Sequence, residues 1–202
     1  MAINTAAERR AASDFWGDWP TLLPDSDVNA SDRAHIQAGF YISGGGGGGA
    51  INGEMNESLD GDFTLVGWYN SLSTAELPFV AWDIGSLAVT IEDNGGTHQL
   101  KINDGVNTPI AVDLTADGSA WFNIIIVRSG TSILVYEDNT LIHTETGWSV
   151  VDYSTLISAI SSSVVEFFDL RVLNLALSVD DIDYYYDDVI NNGGETTLPR
   201  WL

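Results

Sequence analysis

The chain is 202 residues long and carries 29 acidic against seven basic side chains, a formal net charge of −22, with no cysteine. Such a surface repels phosphate backbones and anionic lipid, which excludes nucleic acid and membrane surfaces as partners. The missing thiols exclude disulfides, thiolate zinc sites and a cysteine nucleophile, while 45% apolar residues and seven tryptophans suit one domain with a substantial core plus an appendage.

The charge is uneven. Residues 1–43 hold six acids with Arg9, Arg10 and Arg33, whereas residues 44–202 hold 23 acids and four basic residues. The first ten residues lack the apolar run of an export signal, and no apolar stretch elsewhere reaches the length of a bilayer span. Thr5 is placed to cap an Ala-rich turn running to Ser13, and Ser31 to cap a second short helix that Gly39 ends. Phe15, Trp16 and Trp19 lie between them. A segment this short cannot bury those rings by itself, so they pack on the following domain or on another protein. Residues 1–43 therefore read as a partly helical docking arm, with Arg9, Arg10, Phe15, Trp16, Trp19 and Arg33 as its contact residues. Six consecutive glycines at 44–49 read as a flexible hinge and a boundary.

Residues 50–192 read as the main domain. Phe63, Leu65 and Tyr69 alternate with Thr64, Val66 and Trp68 in a first strand. Further strands are expected at 77–83, 86–93, 97–103, 109–114, 121–128, 132–137, 140–145 and 164–174. Turn signals separate them, among them Asp93-Asn94-Gly95-Gly96, Asn103-Asp104-Gly105 and Ser129-Gly130. Residues 121–128 are apolar on both faces, which predicts a central strand. Ser178 is placed to cap a closing helix whose apolar stripe is Val179, Ile182, Tyr186, Val189 and Ile190. Residues 193–202 form a tail. Many short strands with frequent turns predict an all-β sandwich or barrel with a short C-terminal helix.

Particular segments resemble a known family. Phe63-Thr64-Leu65-Val66-Gly67-Trp68 is similar to an early strand of laminin-G-like, concanavalin A-like jelly rolls. The stretch from Trp121 to Arg128, followed by Ile133 to Asp138, resembles the family's paired central strands, and Phe168 to Ser178 with Asp181-Ile182 resembles its closing strand and helix start. The resemblance covers roughly residues 50–190 and implies a jelly-roll sandwich of the lectin and glucanase type. It departs at Asn139-Thr140, where the family often turns with a glycine. Separately, Thr5 to Ser13, Leu23-Pro24-Asp25, Ser31-Asp32-Arg33 and Gly39-Phe40-Tyr41 resemble the opening segment of small structural proteins of tailed bacteriophages.

Chemistry is sparse. The glucanases of the resembled family place an acid and a nucleophile at alternate positions of one strand, yet Glu137 and Asp138 point to opposite faces and Glu166 and Asp169 have the wrong parity. His35, His98 and His143 have no ligand-pair spacing, and the glycine run lacks the residues of a phosphate loop. Calcium stays open, with Asp93, Asn94, Asp138 and Asn139 as oxygen ligands at strand ends, although Asp and Asn are ordinary turn residues. Glycan binding needs aromatic platforms beside polar groups; Trp68, Trp82 and Trp148 are the candidates, with Trp82-Asp83 the leading pair.

The expectation is a non-enzymatic virion structural protein of a tailed phage, assembled in the host cytoplasm. Its arm would dock on other virion proteins of capsid or tail, displaying the jelly roll as a decoration or accessory domain, with a homo-oligomer compatible. The alternative is a glycan-binding adhesin of a tail or fibre, recognising a cell-surface glycan with or without calcium.

Overall fold

The computed structural model describes residues 35–36, 39–42, 51–54, 59, 61–71, 78–116, 120–149, 151, 153, 156–159 and 165–191. In chain order the strands are β1 (His35–Ile36), β2 (Gly39–Ile42), β3 (Ile51–Glu54), β4 (Phe63–Ser71), β5 (Phe79–Ile84), β6 (Leu87–Asp93), β7 (His98–Asn103), β8 (Ile110–Asp113), β9 (Phe122–Ser129), β10 (Ser132–Glu137), β11 (Thr140–Thr146), β12 (Leu156–Ala159) and β13 (Val165–Leu173). Helix α1 (Val179–Asn191) follows. The strands form a seven-stranded sheet, β1-β2-β13-β4-β9-β10-β11, and a six-stranded sheet, β3-β12-β5-β6-β7-β8. Neighbouring strands run antiparallel throughout. The expected fold class, an all-β sandwich with a short C-terminal helix, is the fold observed.

Alternation in the sequence places the core. Leu87, Val89 and Ile91 of β6 and Leu100 and Ile102 of β7 turn inward, against Phe63, Leu65 and Tyr69 of β4 and Phe122, Ile124 and Ile126 of β9. These residues fill the layer between the sheets. The opposite faces of β4 and β9 present Val66, Trp68, Ile125 and Val127 to a second apolar cluster, which Ile182 and Tyr185 of α1 close. Strand β9 lies between β4 and β10 and is buried on both sides over nearly its whole length, the central position its sequence predicts.

The helix begins where expected. The Ser178 N–H donates to Asp181 Oδ2 at 2.9 Å and the Asp181 N–H donates back to Ser178 Oγ at 3.3 Å, a reciprocal capping box. Its buried stripe is rotated from the expected one. Ile182 and Tyr185 are buried and Tyr186 half-buried, whereas Val179 in the first turn stands exposed. The reason is Trp68, whose indole N–H donates to Tyr185 Oη at 3.0 Å and whose ring stacks on Tyr186 at 5.6 Å. Thr64 fixes the approach to the helix: its hydroxyl donates to the Leu175 carbonyl at 2.8 Å and accepts the Leu177 N–H at 3.0 Å.

Three expectations change. The helix expected from Ser31 to Gly39 is strand at its described residues, with His35 facing Phe40 and Ile36 facing Gly39 in the β1–β2 pair. Strand β2 then pairs with β13, Ile42 opposite Leu170 and Phe40 opposite Val172, so the seven-stranded sheet begins before the glycines and not after them. The open edge of β13 outweighs a weak local helix preference, and the aromatic pair Phe40-Tyr41 suits a strand. Strands β3 and β12, which the alternation does not reveal, pair with each other. The Thr5 turn, the glycine run and the tail lie outside the described residues.

Candidate ligand-binding face

The three tryptophans expected to form sugar platforms are all interior. Trp68, Trp82 and Trp148 are 3%, 1% and 2% exposed. Trp68 is covered by α1, as described above. Trp82 owes its burial to a β-bulge. Val80 pairs with Thr90 and Trp82 with Val89, so the register shifts by one residue between them. Simple alternation from Phe79 would send Trp82 outward; the bulge turns it in and leaves Asp83 exposed, opposite Ala88. The expected Trp82-Asp83 pair is thus split between core and solvent. Trp148 donates its indole N–H to Tyr153 Oη at 3.1 Å, and Tyr153 donates to Asp104 Oδ2 at 2.9 Å.

That chain of hydrogen bonds holds one loop-bearing end of the sandwich. Asp104 also accepts the Val106 and Asn107 N–H groups at 3.0 and 2.7 Å, while Asn107 Oδ1 accepts the Ser149 N–H at 2.8 Å. Burial alone would raise the Asp104 pKa, but the bonds from Asn107, Val106 and Tyr153 outweigh it and hold the carboxyl below its ordinary value. Burial, with the neighbouring Asp104 adding to it, pushes the Tyr153 hydroxyl up to about 12. These groups are spent on fixing the loop.

The four expected calcium ligands divide between two turns. Asp93 accepts the Gly96 N–H at 2.8 Å and Asn94 donates to Asp113 at 3.0 Å, both at the β6–β7 turn. Asp138 and Asn139 form the β10–β11 turn with positive φ values of 46° and 64°, the left-handed pair of a type I′ hairpin, which replaces the family's glycine. Asp138 Oδ1 accepts the Asn123 N–H at 2.8 Å. Partial burial raises the Asp138 pKa and Glu137 adds to it, against that one hydrogen bond. Among the described residues no three acidic or imidazole groups converge as a metal site. The carboxylate of Glu137 is buried and accepts the Thr115 and Ala116 N–H groups at 2.9 and 2.8 Å, tying the end of β8 to β10 across the sandwich. The docking residues Arg9, Arg10, Phe15, Trp16, Trp19 and Arg33 lie outside the described residues.

What remains open is the outer face of the six-stranded sheet. Here β5, β6, β7 and β8 present Val80 and Asp83, then Ala88, Thr90 and Glu92, then Gln99, Lys101 and Asn103, then Ala111 and Asp113, each exposed or half-buried. The register sets Thr90 beside Lys101, Glu92 beside Gln99, and Gln99 beside Asp113. Two polar clusters result. In one, Lys101 Nζ lies 2.5 Å from Glu92 Oε2, and Thr90 Oγ1 donates to Glu92 Oε1 at 3.2 Å. In the other, Gln99 Nε2 and Asn94 Nδ2 donate to Asp113 Oδ1 at 2.7 and 3.0 Å. The Lys101 hydrogen bond holds Glu92 below the ordinary carboxylate range, and those from Gln99 and Asn94 do the same for Asp113. A general acid needs the opposite shift, so these carboxylates are built to accept hydrogen bonds and not to deliver protons. Ala88, beside Asn103, and Ala111, beside Lys101, keep the surface shallow at the margins of the clusters. Of this set the sequence singled out Asp83, as a glycan candidate, and Asn94, as a calcium ligand; the rest it missed, although the outward register of β6 and β7 carried the signal.

No protein-family model and no curated protein matches the chain. Among solved structures it is similar to the binding domain of botulinum neurotoxin serotype D, with TM-score 0.57 and 12% identity over 78% of this chain and 45% of that one. The serotype D ligand binding domain in complex with N-acetylneuraminic acid gives TM-score 0.57 and 13% identity over 79% of this chain and 45% of that one. A botulinum neurotoxin type C structure, whose cell entry is described as dependent on two ganglioside molecules, gives TM-score 0.55 and 14% identity over 73% and 42%. The chain spans less than half the length of these neighbours. At such identity the likeness shows the fold, a jelly-roll β-sandwich.

Proposed function

We propose that the sandwich is a non-catalytic carbohydrate-binding domain of the laminin-G-like kind, and that it reads its ligand on the open face of the six-stranded sheet. The observation that carries this reading is the contrast between the two outer faces. Helix α1 covers the seven-stranded sheet with apolar contacts, whereas the six-stranded sheet turns an ordered row of amide, carboxylate and hydroxyl groups to solvent. Side chains already fixed by their neighbours cost little entropy when a polyol docks on them. Two of the fold's neighbours are described with sialic acid or gangliosides, which supports the ligand class. On a glycan array the full chain is expected to retain a subset of glycans, with Asp113→Ala weakening retention about tenfold. A flat array would sink the reading.

A second reading keeps the expected role as a virion structural protein of a tailed phage, assembled in the host cytoplasm. The burial of Trp68, Trp82 and Trp148 favours it, since the aromatic rings that a sugar site ordinarily exposes are spent on the core. Its test must respect β1 and β2, which belong to the sheet. Deleting residues 1–34 is expected to abolish incorporation into particles while the sandwich still folds, and normal incorporation of that variant would count against the role.

A further inference from the structure

Recognition of sialic, uronic or sulfated sugars draws on a guanidinium or ammonium group set against the anion. The described residues contain three Lys or Arg side chains: Lys101, Arg128 and Arg171. Arg128 is buried and donates from Nη1 to the Gly61 carbonyl at 2.8 Å. Arg171 is buried beneath α1, its guanidinium 5.0 Å above the centre of the Tyr185 ring. Of these three described side chains, Lys101 alone reaches the open face, where Glu92 holds it. The same face carries Asp83 on β5 and Asp113 on β8, both exposed, and Gln99 and Asn94 hold Asp113 below the ordinary carboxylate range. An anionic glycan spanning this face would meet two carboxylates beyond the one that Lys101 neutralises, and the chain as a whole adds its net charge of −22 to the repulsion.

Resting on the carbohydrate reading, we propose that the open face of the six-stranded sheet selects an uncharged glycan and rejects sialylated and sulfated ones. Hydroxyl groups of a neutral sugar donate charge-assisted hydrogen bonds to Asp83 and Asp113, and they accept from the amides of Gln99 and Asn103. The ligand class therefore differs from the N-acetylneuraminic acid described with one structural neighbour.

The test uses the full chain on an array of matched glycans, each neutral core printed beside its sialylated and sulfated forms, at physiological ionic strength. Expected is retention of a neutral core with its anionic counterparts weaker by about tenfold or more. Glu92→Gln, which frees the Lys101 ammonium, should narrow that gap several-fold. Anionic forms bound as well as their neutral cores would overturn the charge selection and leave the carbohydrate reading standing. Neutral binding that survives both Asp113→Ala and Gln99→Ala would overturn the placement on this face. An array flat for every member would overturn the carbohydrate reading and this inference with it.

Discussion

Gly67→Ala is expected to destabilise the sandwich by about 1–3 kcal/mol, read as a lower urea midpoint with an unchanged slope. The position lies on the inward face of β4, between Leu65 and Tyr69, where the strand has no side chain of its own. Tyr69 fills the vacancy. A methyl group built on Gly67 would stand 2.4 Å from the Tyr69 hydroxyl oxygen, 2.7 Å from its ring carbon Cζ and 2.8 Å from Leu170 Cδ2. None of these can yield easily, because the Tyr69 ring is wedged against Phe79, Trp82 and Phe122 at 5.6, 5.5 and 6.0 Å. The hydroxyl itself has no hydrogen-bond partner among the described residues, and burial drives its pKa well above the ordinary phenol value. Removing it therefore costs no hydrogen bond and relieves the nearest clash. Tyr69→Phe alone should be neutral or slightly stabilising, and added to Gly67→Ala it should restore part of the loss. Equal midpoints for Gly67→Ala and the native chain would refute the packing account.

Trp82→Ala should cost more, about 3–5 kcal/mol, a large share of the stability of an ordinary domain. The ring is buried edge-on to Tyr69, at 5.5 Å and 87°, in the layer between the sheets. Its neighbour in sequence is the control. Asp83→Ala, on the solvent side of the same strand, should move the midpoint by no more than about 0.5 kcal/mol. Chemical denaturation of the two variants separates a core tryptophan from a surface one. A folded, fully stable Trp82→Ala protein would return that ring to the surface.

These two residues also show where the sequence was legible. Strands β4 to β11 and β13 follow from alternation and turn chemistry, because half of each strand faces a core and its neighbours face elsewhere. Strand β9 was recognisable as central from apolar residues on both faces, and Ser178 as a cap from its place before Asp180 and Asp181. The bulge in β5 was not legible. It is a property of pairing with β6, and no residue between Val80 and Trp82 announces it. Strands β3 and β12 were hidden for a related reason: each is four residues long and finds its partner about a hundred residues away, Ile51 opposite Ala159. The candidate site shared that fate. Aromatic rings drew attention to Trp68, Trp82 and Trp148, whereas the polar row becomes a surface only once β6, β7 and β8 lie side by side. The rotated helix stripe has the same origin, since Trp68 and its hydrogen bond to Tyr185 decide which side of α1 faces the sheet.

The order of strands in the larger sheet sets a schedule for biosynthesis. Strand β13 lies between β2 and β4, so residues made early depend on residues made late. Until Leu170 and Val172 have left the ribosome, β2 has only the two residues of β1 to pair with, and Leu65, already able to join Ile126 of β9, waits for Val172 on its other side. The hairpins β6–β7 and β9–β10 can close as they emerge, at synthesis rates of about 5–20 residues per second. The nascent chain thus carries the open edges of β2 and β4 until its last strand has been made.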